Sequence, residues 1–568
     1  MDYIRLVELY EKLERIPSKL EKTHILAKFL RETSSHELEK VVLLVQGRVF
    51  PKFTSYELGI ATQMIIRAIS RFTGFPREKV EDLFREKGDL GLVAEECRAK
   101  MKQVVLLYEK LTVDKVFNEL QKLAFLTGPG SQDRKLNLIG ELLTSAEPKE
   151  AKYIVRTILG ELRVGVAEGI LRDSVVEAFL LKEGMSKREK QMLTDLVNYA
   201  WNILSDYGEV ARIAKEEGIE GLKKVRLQPG RPYQVMLGLA AKSIDDIVRE
   251  FGKIAAEWKY DGMRAIIEKK DDKIWIFSRR LENVTKQFPD IVELAKEGLP
   301  VDECIVEGEI LGIDAKTGYP LPFQALSQRI QRKYGIEKMA KEIPVQVNIF
   351  DIVYLNGEML LDRPFIERRK ILEKTVKTIP KKFQLSKQII TDDLEKLEEF
   401  YQEALSAKQE GLMLKVLDAP YTFGRHVGTM YKIKPIMETL DLVIVGAEWG
   451  TGSRAKWLSS YVIACRDPNT GKYLPVGMMG TGLSEEQFQK MTETLKPLII
   501  SQKGRYVKVR PEIVVEVGYQ EIQKSPNYES GMALRFPRLI RIRTDKSADE
   551  CDTIDRVMAL YKSQGRAG

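Results

Sequence analysis

From Met1 to about Lys224, apolar residues recur every three to four positions, as along 4–13, 57–69 and 175–181, with proline and glycine between the runs. That period puts the apolar side chains on one face of a helix, so this segment is predicted to be all-α. Gln228-Pro229-Gly230-Arg231-Pro232 then breaks the period as a linker does. Between Pro232 and Pro435 the pattern mixes alternating strands with helices predicted over 362–373 and 394–405, and Lys270-Asp271-Asp272-Lys273 reads as a hairpin turn. From Ile436 onward short strands are predicted at 441–447, 460–465, 473–479, 506–509 and 514–517, with Pro468-Asn469-Thr470-Gly471 turning between two of them and a helix near 551–564. Five strands of that length suit an OB-type barrel. The expected organisation is a helical domain over 1–225, an α/β domain over 226–435, and a β domain with a C-terminal helix over 436–568.

Composition narrows the class. A chain of 568 residues, 44% of them hydrophobic, has material for several cores. The formal net charge of +8 favours a polyanionic partner. No apolar run reaches the ~18 residues needed to span a bilayer, and Met1-Asp2-Tyr3-Ile4-Arg5 lacks the apolar core of a signal peptide. A cytoplasmic protein without membrane contact is expected. Cys97, Cys304, Cys465 and Cys551 are scattered with no paired spacing, which argues against a zinc module and against a disulfide framework.

The strongest chemical signal is Lys259-Tyr260-Asp261-Gly262-Met263, followed by Arg264 and preceded by Glu257. Alternation over 256–267 would place Glu257, Lys259 and Asp261 on one face of a strand. A lysine so bracketed reads as a nucleophile. An ammonium has no free lone pair and a free lysine titrates near pH ~10.4, so nucleophilic attack requires a depressed pKa. Cationic neighbours, desolvation or a bound divalent ion can each supply it, and Arg264 is one such neighbour in sequence. The alternative for an isolated motif of this kind is a solvated edge strand.

Five further motifs follow in order: Phe277-Ser278-Arg279-Arg280, Val306-Glu307-Gly308-Glu309-Ile310, Asn348-Ile349-Phe350-Asp351-Ile352, Glu410-Gly411-Leu412-Met413-Leu414-Lys415 and Tyr431-Lys432-Ile433-Lys434. Phe350 offers a flat face for a purine. Arg279 and Arg425 can fork onto ribose or phosphate oxygens. Glu309 and Glu410 are hard oxygen ligands suited to Mg²⁺, the alternative for each being an ion pair with a nearby lysine. Lys432 and Lys434, two apart on a predicted strand, would repel unless an anion such as a triphosphate lies between them.

The series resembles the nucleotidyltransferase motifs of the superfamily that holds ATP-dependent DNA ligases, RNA ligases and messenger-RNA capping enzymes. The resemblance implies that Lys259 becomes AMP-modified. It makes Glu257, Arg264, Arg279, Glu309, Phe350, Arg425, Lys432 and Lys434 nucleotide contacts, and Glu309 with Glu410 the metal carboxylates. One departure is Met430-Tyr431-Lys432, where many relatives place a tryptophan two residues before the first lysine.

Both flanking segments fit. Glu161-Leu162-Arg163-Val164-Gly165-Val166-Ala167-Glu168-Gly169 resembles the DNA-binding segment of ligases of the archaeal and eukaryotic replicative type, which makes Arg163 and Gly165 DNA contacts; its alternative is a tight interhelix turn. Arg541-Ile542-Arg543-Thr544-Asp545-Lys546 resembles the terminal ligase motif, in which Arg543, Asp545 and Lys546 orient the leaving pyrophosphate. The implied architecture is a helical DNA-binding domain, an ATP-grasp-like adenylation domain and an OB-fold barrel. The implied function is the sealing of nicks in double-stranded DNA by a monomeric enzyme, in replication, repair, recombination and cell division. ATP is the implied AMP donor, with Mg²⁺ or another divalent cation.

The family also raises a sliding clamp as a partner, with Lys102-Gln103-Val104-Val105-Leu106-Leu107-Tyr108 lying where relatives carry a clamp-binding peptide, although the expected aromatic pair is absent. A capping enzyme would use GTP and need no large helical domain. An RNA ligase fits the helical domain and the terminal motif less well. A binding protein with a dead site predicts loss of Lys259, Glu309 or Glu410, all of which are present.

Overall fold

A computed structural model describes the chain except for residues 55, 102–109, 322, 331–334, 436–437, 451–453, 455, 481–482 and 564–568. The clamp-peptide expectation at 102–108 lies outside the described residues. Two compact units form, one from Met1–Phe400 with Leu412–Lys432, the other from Tyr401–Gly411 with the chain from Ile433 onward. No helix among the described residues is long and apolar enough to cross a membrane.

The first 224 residues are helical, as their period predicts, with thirteen described α-helices from Tyr3–Arg15 to Gly218–Lys223. Tyr3–Arg15 buries Tyr3, Leu6, Val7, Tyr10 and Leu13 along one face. Each of the aliphatic ones contributes roughly 1.5–3 kcal/mol relative to exposure. The helix expected over 57–69 begins only at Thr62. Gly59 adopts a left-handed φ of 63°, and the Leu58 carbonyl accepts a hydrogen bond from Lys135 Nζ (2.7 Å), so neither can enter a regular helical turn. The run 175–181 is the second half of Glu168–Phe179, which stops two residues short of Leu181.

The α/β part contributes thirteen strands: β1 (Met236–Leu237), β2 (Leu239–Ala240), β3 (Ile254–Lys259), β4 (Met263–Lys270), β5 (Lys273–Ser278), β6 (Glu303–Gly312), β7 (Val345–Leu355), β8 (Glu358–Met359), β9 (Phe383–Leu385), β10 (Gln388–Thr391), β11 (Gly411–Val416), β12 (Gly424–Arg425) and β13 (Met430–Ile433). One sheet has the order β10-β3-β11-β13-β2; another runs β5-β4-β6-β7-β8 with β9 beside β7; β1 and β12 pair separately. The second sheet is antiparallel from β5 to β8. Its core is built from alternating residues such as Ile267, Ile276, Val306 and Ile349.

The hairpin at 270–273 forms as predicted, with Asp271 at a φ of 51° where its short side chain tolerates the left-handed turn. The strand expected over 256–267 does not. It ends at Lys259, turns through Tyr260–Gly262, and resumes as β4 in the other sheet. Glu257 and Lys259 therefore share a strand, while Asp261 belongs to the turn. Helix 394–405 is found as Leu394–Ser406, whereas 362–373 is shifted to Phe365–Thr375. Pro364 stands at the N-cap with extended ψ, and it biases the residue before it away from helical conformation.

The second unit carries β14 (Leu440–Trp449), β15 (Leu458–Arg466), β16 (Tyr473–Met479), β17 (Ile499–Lys503), β18 (Tyr506–Val509), β19 (Val514–Gly518), β20 (Glu521–Lys524), β21 (Met532–Arg535) and β22 (Arg538–Ile542). An antiparallel sheet joins seven of these: β14 pairs β15 on one edge and both β18 and β19 on the other, and β22 pairs β19. β20 and β21 form a separate hairpin. The helix Glu485–Leu495 packs Phe488, Met491 and Leu495 into the core of this sheet. The five predicted strands are all present, and the four missed ones are short. The final helix begins at Ile554 rather than at 551 and is described as far as Ser563.

Candidate active site

Lys259 ends β3 half-buried, at the point where the chain crosses from one sheet to the other. The crossing is tight. A Cβ on Gly262 would lie 2.2 Å from the Ile310 carbonyl oxygen and 3.0 Å from Glu309 Cγ, so only glycine lets this turn press against β6. Tyr260 is buried and its hydroxyl accepts the Lys387 amide at 3.1 Å, fixing the other side of the turn.

Two residues before the lysine, the Glu257 carboxylate is 2% exposed and fully engaged. It takes Lys415 Nζ at 2.8 Å, Gln388 Nε2 at 2.8 Å and Arg369 Nη1 at 3.5 Å. Lys415 is itself buried, and its Nζ donates to the Phe350 carbonyl at 3.2 Å and lies 4.9 Å from the Phe350 ring centroid. Glu257 is thus tied through Lys415 to the aromatic residue expected to receive the base.

Phe350 is half-buried in a strand that is otherwise largely buried. The register accounts for this. Glu307 faces Asp351 and Gly308 faces Ile349 across β6 and β7, leaving Phe350 as the extra residue of a β-bulge. Bulges re-aim side chains beside functional sites. A second slip between Ile305 and Val306 leaves Val353 unpaired in the same way. Asp351 is buried and takes a forked bond from Arg368, Nε to Oδ1 at 2.9 Å and Nη2 to Oδ2 at 3.0 Å. Burial opposes its ionisation, but the Arg368 guanidinium prevails and holds the carboxyl below its ordinary value.

Arg264 lies 5.3 Å from the Phe350 ring centroid and donates to Glu307 Oε2 at 2.6 Å. Desolvation works against its charge, while Glu307 raises its pKa. Across β4 and β6, Arg264 and Glu309 are register partners, so the half-buried Glu309 stands beside the arginine. Arg279, just past the end of β5, is exposed. Partial desolvation and then the cations Arg264 and Arg425 lower its pKa, with Glu309 acting the other way. Arg425 lies in β12 opposite Leu237. These arginines and Glu309 therefore converge on one region, and an anion is the ligand that relieves their mutual repulsion.

Glu410 immediately precedes β11, which lies between β3 and β13. Its carboxylate forms an ion pair with Lys434. Lys432 lies in β13 opposite Ala240, whereas Lys434 falls one residue past the strand end at Ile433. The expectation that both lysines share a strand face is corrected accordingly: one is a strand residue and the other is held by Glu410.

Arg163 and Gly165 lie between helices Pro148–Ile158 and Glu168–Phe179, both exposed and both at positive φ, 63° and 69°. Arg163 bonds Asp89 at 3.3 Å and also pairs with Glu161. Lys22 Nζ donates to the Val164 carbonyl at 2.7 Å beneath the same loop. In the second unit Arg543 Nη1 is shared between the two Asp441 carboxylate oxygens at 3.0 and 2.8 Å, Arg543 Nη2 reaches Asp545 at 2.8 Å, and Lys546 reaches Asp441 at 2.6 Å.

Sequence reading did not single out Glu307, Lys415, Arg368 or Asp441. A signal was available for the first two, since each is a charged residue inside an otherwise apolar strand, where it requires a partner.

Family models match most of the chain: "DNA ligase N terminus" over 2–176, "ATP dependent DNA ligase domain" over 235–434, and "ATP dependent DNA ligase C terminal region" over 454–546. The chain is 49% identical to a DNA ligase of Nanoarchaeum equitans, covering 99% of each chain. It is 45% identical to a DNA ligase of Thermococcus fumicolans over 100% of this chain and 99% of the other, and 44% identical to one of Archaeoglobus fulgidus over 99% of both. A solved structure named Pmar-Lig_Pre shares the fold at 17% identity and a TM-score of 0.58, covering 95% of this chain and 99% of that one. The nucleotidyltransferase-type motifs, their convergence on two adjoining sheets and these full-length likenesses agree, and the chain belongs to the ATP-dependent DNA ligase family.

Proposed function

We propose that Lys259 is the residue that carries AMP. What supports this reading is the tight Gly262 turn, which links β3, ending at Lys259, to β4, where Arg264 stands beside Glu309 and the Phe350 ring. As an ATP-dependent DNA ligase the chain seals nicks through an adenylylated intermediate. The Lys259 amine attacks the α-phosphorus of ATP, a P–N bond forms, the P–O bond to pyrophosphate breaks, and the amine proton passes to solvent. The 5′-phosphate at the nick then takes AMP from the lysine. Finally the 3′-hydroxyl attacks that activated phosphate, expels AMP and closes the strand. Displacement at phosphorus is governed largely by positioning and charge neutralisation, which is what the surrounding side chains supply.

In this reading Phe350 stacks on the base, and Arg264, Arg279 and Arg425 hold ribose and phosphate oxygens. Lys432 and Lys434 face the triphosphate, which competes with Glu410 for Lys434. The buried Glu257 both contacts the nucleotide and anchors the lysine strand. In the same reading Glu309 and Glu410 are the carboxylates offered to a divalent cation such as Mg²⁺, which takes one or two carboxylates together with phosphate oxygens and water. The Glu410 carboxylate already accepts a cation, the Lys434 ammonium. Bound there, the metal ion would offset negative charge on the phosphates.

Nicked duplex DNA is the proposed partner, with Arg163 and Gly165 contacting backbone phosphate. Such contacts carry no sequence information. The three-part division at about 225 and 435, an ATP-grasp-like adenylation domain, an OB-type barrel in the second unit, and the approach of Arg543, Asp545 and Lys546 to the pyrophosphate belong to the same proposal. Intact-mass analysis after incubation with Mg²⁺ and ATP tests it. An AMP-sized increment absent from Lys259→Ala is the expected result, and an increment retained in that variant rejects the assignment.

A further inference from the structure

Behind Arg264 lies a group of side chains that the reaction does not use directly. Glu307 is fully buried on β6. Its Oε1 accepts two phenol hydroxyls, Tyr233 at 2.6 Å and Tyr421 at 2.6 Å, while Oε2 accepts Arg264 Nη2 at 2.6 Å. Arg264 Nη1 donates to the Met236 carbonyl at 2.6 Å, and the Met236 amide donates to the Tyr421 hydroxyl oxygen at 2.9 Å. Arg264, Met236, Tyr421 and Glu307 thus close a ring of hydrogen bonds, with Tyr233 bracing it from outside.

Two features set this ring apart from ordinary core satisfaction. Both tyrosines are almost fully buried, and desolvation, followed by the Glu307 charge, pushes their pKa values up, so each hydroxyl stays a donor. Arg264 Nε is buried with no hydrogen-bond partner among the described residues. The guanidinium is therefore clamped at both terminal nitrogens with its Nε–H left over, beside the Phe350 ring.

We infer that Tyr233 and Tyr421 are positioning residues for nucleotide binding. Their hydroxyls hold the Glu307 carboxylate in the orientation that fixes Arg264 at the edge of the base and ribose site. Removing one hydroxyl leaves Glu307 and Arg264 in place but lets the guanidinium swing. Binding of ATP should weaken while the attack by Lys259 is spared. The inference rests on the reading of Arg264 as a nucleotide contact.

Single-turnover self-adenylation of the full chain, with Mg²⁺ and a series of ATP concentrations, tests it in Tyr421→Phe, Tyr233→Phe, Arg264→Ala and the Tyr421→Phe/Arg264→Ala pair. Each phenylalanine variant should raise the half-saturating ATP concentration about three- to tenfold, the factor one hydrogen bond commonly provides. The maximal rate should stay within about twofold, and the pair should be no worse than Arg264→Ala alone, because residues acting through one another are not additive. Thermal unfolding of each variant separates this from loss of folded protein, and Tyr233→Phe serves where Tyr421→Phe does not fold. Half-saturation unchanged in the phenylalanine variants but raised in Arg264→Ala overturns the inference and leaves the Arg264 reading intact. Additive losses in the pair, or a fall in maximal rate alone, also overturn it. No effect of Arg264→Ala overturns both.

Discussion

Lys415 Nζ and Glu257 Oε2 form an ion pair at 2.8 Å with side chains only 3% and 2% exposed, and the same lysine lies over the ring of Phe350. One buried cation therefore joins the strand that carries Lys259 to the residue proposed to hold the base. Breaking such a pair from one side strands a charge in the core, at a cost of about 3–5 kcal/mol. Lys415→Met should lower the thermal unfolding midpoint of the full chain and weaken ATP binding with it. A midpoint equal to that of the parent would remove Lys415 from the architecture of the site.

Lys259→Arg preserves charge and approximate length but not nucleophilicity, since a guanidinium does not deprotonate in a protein. The variant should gain no mass with ATP. It should still join a nick whose 5′-phosphate is already adenylated, because that step needs no lysine attack. Failure on the adenylated nick would show that the substitution damages more than the first step.

Gly262→Ala places a methyl group 2.2 Å from a backbone oxygen, so the turn must move. Displacement of a reacting group by about 1 Å can cost on the order of 10²-fold in rate. Self-adenylation should fall by that order while circular dichroism stays near that of the parent. An adenylation rate within threefold would mean that the turn does not set the lysine's position.

Glu150 is 4% exposed in the helical part, and burial, with the charges of Glu147 and Asp2 adding to it, pushes its pKa up to about 7. A carboxyl whose pKa is raised on folding binds its proton more tightly in the native state, so stability falls as pH rises from the ordinary value near 4.5 to about 7. Glu150→Gln keeps a group able to serve as the last member of the capping box with Glu147 and cannot ionise. The variant should unfold at a higher temperature than the parent at pH 8 and match it at pH 4. Equal midpoints at pH 8 would refute the assignment.

Arg163 is exposed on a loop and positioned by Asp89. Arg163→Gln should weaken binding to nicked duplexes of unrelated sequence to a similar degree and reduce the salt dependence of affinity by about one phosphate contact. A sequence-dependent loss would place the residue against bases instead.

Some of this was readable from local chemistry. The hairpin at Asp271 needs only two acidic turn residues between alternating strands, and Lys259 is conspicuous because a lysine flanked by an acid and an arginine has few structural uses. The break at Tyr260–Gly262 was not readable, because the alternation of Glu257, Lys259 and Asp261 runs through it in phase; only the approach of Gly262 to the Ile310 carbonyl stops the strand. β17 and β22 escaped notice because most of their side chains face solvent and carry no apolar alternation. The late start of the helix at Thr62 goes with the left-handed Gly59 and with Lys135, a residue more than seventy positions away that donates to the Leu58 carbonyl. Glu307 could be recognised as a charge in an apolar strand, but not its partners, which come from Tyr233, Arg264 and Tyr421.

The two slips between β6 and β7 behave like a compensating pair of frameshifts. Each adds one residue to β7, and because side chains alternate with a period of two, the pair restores the original frame and alters only Asp351 and Ile352 between them. Asp351 is thereby delivered to Arg368, and Phe350, at the first slip, stands half-buried beside Arg264, at the proposed nucleotide site. Because paired residues share a face, deleting the extra residue at either slip would close that bulge and leave the rest of the strand facing as it does, and at the first slip it would remove the aromatic ring itself. The added length of this strand is thus what separates a half-buried ring from the buried positions on either side of it.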